Sequence, residues 1–122
     1  MAGMITLVLP FPDRALSPNS HLHWSRKAKA AKAARQTANW IAREAGIRPN
    51  DPDIPAALKV TAIFSPPDNR PRDIDGMLSS LKSALDGIAD ATGVDDSKWQ
   101  IAIRKDAPVK GGAVRIELED IA

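Results

Sequence analysis

Six aspartates, Asp73, Asp75, Asp86, Asp90, Asp95 and Asp96, fall within residues 72–97, the stretch "RDIDGMLSSLKSALDGIADATGVDDS". The chain as a whole leans the other way, with 17 Lys and Arg against 15 Asp and Glu. Two explanations are open. Asp is a preferred N-cap residue, and carboxylates in a first turn complement the helix dipole, so the group can be capping and surface chemistry. Alternatively, the Asp-x-Asp of Asp73 and Asp75 at a strand-to-helix junction aims two carboxylates into one small volume. Asp95 or Asp96, from the loop after the helix, would return a third. Such a set is a hard, all-oxygen site that suits Mg²⁺ or Mn²⁺ rather than zinc. It also needs a cation, because like charges a few ångströms apart raise one another's pKa. Arg70 and Arg72 beside the group, with Lys82 along it, would draw a phosphate to the same place. Carboxylates below and cations at the rim are the layout of metal-dependent phosphodiester cleavage.

The elements that must position these residues can be read from periodicity. "MITLVL", residues 4–9, reads as a strand closed by the prolines of "PFPD", and residues 10–21 are loop chemistry. A long helix rich in Ala, Lys and Arg follows and stops at Gly46, with Ser20 or Ser25 as its cap. Trp24, Ala28, Ala31, Ala34, Ala38, Ile41 and Ala45 mark its inward face, small enough to approach a sheet closely. Lys29, Lys32, Gln36, Asn39 and Arg43 form the opposite, solvated stripe. After the proline-rich 47–57, "LKVTAIFSPP" is a strand with Leu58, Val60, Ala62 and Phe64 on one face. A second helix runs from about Ile74 to Ala91, burying Ile74, Met77, Leu78, Leu81, Leu85 and Ile88. Its Asp75, Ser79, Lys82 and Asp86 form a polar stripe. "WQIAIRKDA" and "AVRIELEDI", joined by "PVKGG", read as a closing β-hairpin. The order β-α-β-α-β-β gives an α+β domain: a small mixed sheet with two helices on one face.

Bulk properties narrow the classes. A chain of 122 residues, 43% hydrophobic, is one domain spanning 1–122 with enough material for a core. There is no cysteine, which excludes disulfides, zinc–thiolate sites and thiol nucleophiles. The first residues lack a basic n-region and a long apolar run, so the expectation is a cytoplasmic protein with no membrane partner. His21 and His23 form a His-x-His pair that can ligate metal, but beside Trp24 in a loop it more often packs or lines a surface. Trp24, Trp40 and Trp99 read most simply as core residues, with Trp24 also a candidate for stacking.

Taken together, these segments resemble the RusA family of Holliday-junction resolvases, small endonucleases common in phages and prophages. The resemblance runs over nearly the whole chain: "LPFP", then "SPNSHLHW", a basic helix, "PPDNRPRDID", "KSALDGI", "GVDDSKW" and two closing strands. It implies a homodimeric, Mg²⁺-dependent endodeoxyribonuclease that binds branched DNA and resolves four-way junctions by paired phosphodiester hydrolysis in recombination and repair. Residue by residue, it implies Asp73, Asp75 and Asp96 as catalytic metal ligands, with Asp95 the weaker candidate for the third. Lys82 falls on the catalytic lysine and Asn19 on the early loop asparagine. Arg70, Arg72, Lys29 and Lys32 would contact DNA. Two positions depart from the family pattern: Gly76 stands where Asn usually follows Asp-x-Asp, and Ser79 where the lysine usually stands. Lys82 lies three residues further on, about 4.5 Å along the helix axis but on the Asp75 face. A decayed enzyme that binds branched DNA without cutting it, or a nuclease for flaps and forks, fits the same residues.

Overall fold

The structure, a computed structural model, describes residues 3–121. Among them the elements follow the expected order: β1 (Ile5–Leu9), α1 (Trp24–Glu44), β2 (Leu58–Ser65), α2 (Ile74–Thr92), β3 (Trp99–Lys105) and β4 (Ala113–Asp120). Two short 3₁₀ turns, Arg14–Leu16 and Asp96–Lys98, interrupt the loops before α1 and β3. The fold is α+β, with a four-stranded mixed sheet in the order β1-β4-β2-β3. Alternation sets which face is buried. Leu58, Val60, Ala62 and Phe64 of β2, and Val114, Ile116 and Leu118 of β4, are all fully buried and share one cluster with Met77, Leu81, Leu85 and Ile88 of α2. The other face carries the polar members of the same strands, such as Lys59, Thr61, Arg115 and Glu117.

The two closing strands do not form a hairpin. β3 pairs parallel with β2, in the register Leu58↔Trp99 through Phe64↔Lys105. β4 instead inserts between β1 and β2, antiparallel to both. The physical reason lies in the connections. α2 between β2 and β3 makes a crossover, which lays successive strands parallel. "PVKGG" is then long enough to carry the chain past β2, turning through Gly111 and Gly112, both at positive φ. β4, with Val114, Ile116 and Leu118 alternating along it, takes the central place, whereas β3, ending in Arg104 and Lys105, suits an edge.

α1 packs chiefly on α2, not directly on the sheet. β1 and β2 are each antiparallel to β4, and β3 is parallel to β2, so α1 and α2 cross between parallel strands and run in the same direction. Their alanines line a small cavity, and Ala38 meets Gly87. At Gly87 the approach is so close that a Cβ there would stand 2.2 Å from the Arg35 carbonyl oxygen and 3.0 Å from the Ala38 Cβ. The Arg35 guanidinium donates two bonds across the gap to Asp90, at 2.7 and 2.8 Å.

This packing corrects several side-chain expectations. Ala38 and Ala42 are the buried residues of α1, Ala31, Ala34 and Ile41 are half-buried, and Trp24, Ala28 and Ala45 are exposed. Trp24 and Trp40 are not core residues: they are 74% and 64% exposed, Trp24 as the first residue of α1 and Trp40 on the face turned away from α2, with Lys29, Lys32 and Gln36. Trp99 alone is half-buried, and its indole N–H donates to the Val94 carbonyl. Ile74 is exposed as well, at 43%. The cap of α1 is His23, not Ser20 or Ser25: its Nδ1 accepts the Ser25 backbone N–H at 3.2 Å. His23 is thus used in local structure, with its ring against Trp24.

Candidate functional site

Because α1 and α2 run the same way, their N-termini lie at one end of the molecule, where the two helix dipoles both favour anions. The chain reaches α2 through "DNRPRD". Asp68 shapes this turn, accepting the Arg70 backbone N–H at 3.0 Å and pairing with the Arg72 guanidinium at 2.9 Å. The Arg72 bond, then the Arg70 N–H, hold the Asp68 carboxyl below the ordinary carboxylate value. Arg72 also donates to the Asp68 and Arg70 carbonyls and lies over the Phe11 ring, 5.6 Å from its centroid. Phe11 in turn packs edge-on against buried Phe64. Arg72 is therefore fixed in place, while Arg70 is exposed and loosely paired with Asp68 at 3.4 Å.

Asp73 occupies the N-cap position of α2 with extended backbone, φ −76° and ψ 138°, yet its side chain makes no capping hydrogen bond. Asp75, in the first turn, is exposed and also has no hydrogen bond or ion pair. Capping therefore does not account for these two carboxylates. A cleft of about 380 Å³ brings Asp73 together with Arg72, Gly76, Arg14 and Asn19, so two segments separated by more than fifty residues meet here. The Asn19 loop is tied to α1 by Lys27, whose Nζ donates to the Ser20 carbonyl at 2.7 Å. Gly76 opens the wall of the cleft, and a Cβ there would meet only the Asp73 Cβ, at 4.0 Å.

Further along α2, Lys82 binds two carboxylates, Asp86 at 2.9 Å and Asp96 at 3.1 Å. These bonds, Asp86 before Asp96, raise the Lys82 pKa above its ordinary value, so the amine stays charged and is no general base. Lys82 and Asp96 line a second hollow with Ser79, Leu78, Leu85, Trp99 and Ile101. Asp95 is distinguished from Asp96 by its bonds. It caps the 3₁₀ turn through the Ser97 backbone N–H at 3.1 Å, and its carboxyl lies below the usual range because of the Ser97 hydroxyl and then that N–H. Asp90 is spent on Arg35. Lys29 and Lys32 lie on the outer face of α1, away from the cleft.

The predicted set is thus divided. Asp73, Arg72 and Asn19 share a cleft, Asp75 follows on the stripe of Ser79 and Lys82, and Asp96 is held by Lys82. Among the described residues no three His, Asp or Glu side chains stand close enough to hold a metal ion together. Asp73 and Asp75 still have the donor chemistry of a Mg²⁺ site, since that ion keeps several waters and is usually held by one or two carboxylates with substrate phosphates. Sequence reasoning missed Arg14 in the cleft and the use of Asp86 as a partner of Lys82; the i,i+4 spacing of the latter pair is the signal that reveals it.

Fold and site define a small α+β protein with two unpartnered carboxylates at the start of α2, beside a cleft lined by both arginine and aspartate. The chain is 42% identical over 102 residues, covering 81% of this chain and 67% of the relative, to a protein of Xylella fastidiosa (strain Temecula1) described as uncharacterized, and it belongs to that protein's family. No family model matches the chain. No described helix is long and apolar enough to cross a membrane.

Proposed function

We propose that this protein is a Mg²⁺-dependent, structure-specific endodeoxyribonuclease that resolves four-way DNA junctions by paired phosphodiester hydrolysis, as its resemblance to the RusA resolvases implies. The observation that carries the proposal is the pair Asp73 and Asp75, with carboxylates free of capping and ion-pair duties at a helix start flanked by Arg14, Arg70 and Arg72. Asp73 and Asp75 would hold Mg²⁺ (or Mn²⁺), which when bound neutralises charge on the phosphate and lowers the pKa of an attacking water. The chain's own residues do the rest. Arg72, rigidly held, and Arg70, exposed, orient the scissile phosphate, and the α2 N-terminus adds favourable field. Asn19 lines the same cleft as Asp73 and would add an amide to the phosphate's surroundings. Lys82 is a fixed positive charge beside Asp96, the third carboxylate of the proposed set. A homodimer would present two such sites to the two-fold symmetry of a junction. The protein would act in the cytoplasm, in recombination and repair of host or prophage DNA.

The Lys82–Asp96 pair favours a second reading, a protein that binds branched DNA but no longer cuts it, since that pair keeps Asp96 apart from Asp73 and Asp75. One assay decides. Purified protein with Mg²⁺ or Mn²⁺ is offered a four-way junction, a flap, a fork and a linear duplex. Symmetric nicking of the junction that disappears in Asp75→Asn supports the first reading. Binding without cutting under either metal establishes the second, and cutting of flaps or forks in preference to junctions would change the substrate.

A further inference from the structure

The face of α1 turned away from α2 differs from an ordinary solvated helix surface. From Trp24 to Arg43 the helix contains no Asp or Glu; Glu44 is the first. Three of its cations are engaged, Lys27 with the Ser20 carbonyl, Arg35 with Asp90 and Arg43 with Asn39. Arg26, Lys29 and Lys32, all exposed, make no hydrogen bond or ion pair. Arg26 and Lys29 also fall in the first two turns, where the helix dipole disfavours positive charge. The chain keeps them there with no acid at i+3 or i+4 to offset the cost. Trp40 lies on the same face: positions 29, 32, 33, 36 and 40 recur at three- and four-residue spacing over about 16 Å of helix. Its ring is 64% exposed and makes no aromatic, cation or hydrogen-bond contact.

We propose that this outer face of α1 is a track for an unpaired nucleic-acid strand, with Arg26, Lys29 and Lys32 on phosphates and Trp40 as the platform on which a base stacks. Free cations beside a free aromatic plane are the two components of sequence-tolerant single-strand binding. Other occupants fit less well. A protein partner needs an apolar centre, and the neighbours of Trp40 on this face are Ala33, Gln36 and charges. A membrane surface needs a continuous apolar face, which one Trp does not make. A duplex would use the cations but keep its bases in its own stack, leaving Trp40 idle. The proposal rests on the nucleic-acid reading above but not on catalysis.

The test is fluorescence anisotropy of labelled dT16 and of a 16-base-pair duplex, at low salt in EDTA so that cutting plays no part. The full chain is expected to bind dT16 more tightly than the duplex. Trp40→Ala should weaken dT16 binding about tenfold or more while changing duplex binding less than about twofold, and Trp40→Phe should recover most of the loss. Lys29→Gln with Lys32→Gln should lower the slope of log affinity against log salt by about 1.4, the value for two lost phosphate contacts on a single strand. Trp40→Ala binding dT16 as the parent does, or the parent preferring duplex or anionic vesicles, would overturn the proposal. Junction cutting is scored separately in Mg²⁺: its absence with Trp40-dependent binding intact overturns only the nuclease, and its presence with Trp40-independent binding overturns only the track.

Discussion

Gly76 and Gly87 lie in the same helix, and the structure assigns them opposite responses to one substitution. Replacing glycine by alanine inside a helix gains about 1 kcal/mol from backbone entropy alone. At Gly76 nothing opposes that gain, because the new methyl would meet only the Asp73 Cβ, 4.0 Å away. At Gly87 the methyl would lie 2.2 Å from the Arg35 carbonyl oxygen, about 1 Å inside ordinary contact. That oxygen belongs to the backbone of a 21-residue helix and no rotamer moves it, so α1 as a whole must withdraw. Withdrawal loosens Ala38 and Ala42 against their neighbours and draws the Arg35 guanidinium away from Asp90. Overpacking of this kind costs about 1–3 kcal/mol before the lost contacts are added, and the propensity gain offsets part of it. The expected outcome is that Gly76→Ala stabilises the protein by about 0.5–1 kcal/mol and Gly87→Ala destabilises it by about 2 kcal/mol. Urea unfolding followed by far-UV circular dichroism measures both, at equal m-value. A Gly87→Ala protein as stable as its parent would refute the close approach of the two helices.

Further expectations concern the site and the charges around it. Asp73→Ala should cost less than about 0.5 kcal/mol, below the roughly 1 kcal/mol usual for losing an N-cap bond, because no such bond is made; a larger loss in thermal unfolding would return Asp73 to a capping role. Lys82→Ala should leave stability within about 1 kcal/mol, as for an exposed ion pair, while lowering junction cleavage about a hundredfold; unchanged cleavage would remove Lys82 from the site. Gly76→Asn, whose Cβ would meet only the Asp73 Cβ at 4.0 Å, should leave folding intact and cut junctions faster than Gly76→Ala; equal cleavage rates for the two would show that an amide at this position does not contribute. For Asp90, the Arg35 bond holds the folded pKa below the ordinary 3.8, so the stability it gives is present in full above that value and is lost as pH falls through the lower, folded one. The stability difference between the parent and Asp90→Asn should therefore be constant from about pH 5 to 8 and narrow below about pH 4. A gap that stays the same down to pH 3 would show that the bond is not formed in solution.

The order and type of the four strands and two α-helices, the α+β class and the carboxylates at the start of α2 were legible in the sequence, whereas the two 3₁₀ turns were not. Period-two alternation through Leu58, Val60, Ala62 and Phe64, and the three- and four-residue spacing of Met77, Leu81, Leu85 and Ile88, are local patterns that report which side of an element avoids water. Tertiary structure alone decided the rest. It placed β4 between β1 and β2, because strand pairing depends on where α2 carries the chain and not on the strands' own composition. It left Trp24 exposed although helical spacing puts it in line with Ala31 and Ala38, because how much of an inward stripe is covered depends on where another element lies. It also separated the aspartates by use. Asp90 and Asp95 acquired partners in Arg35 and Ser97, Asp86 and Asp96 share Lys82, and Asp73 and Asp75 were left free at the start of α2. Residue type and spacing show which groups are able to act together; only the folded positions of their partners determine which remain available.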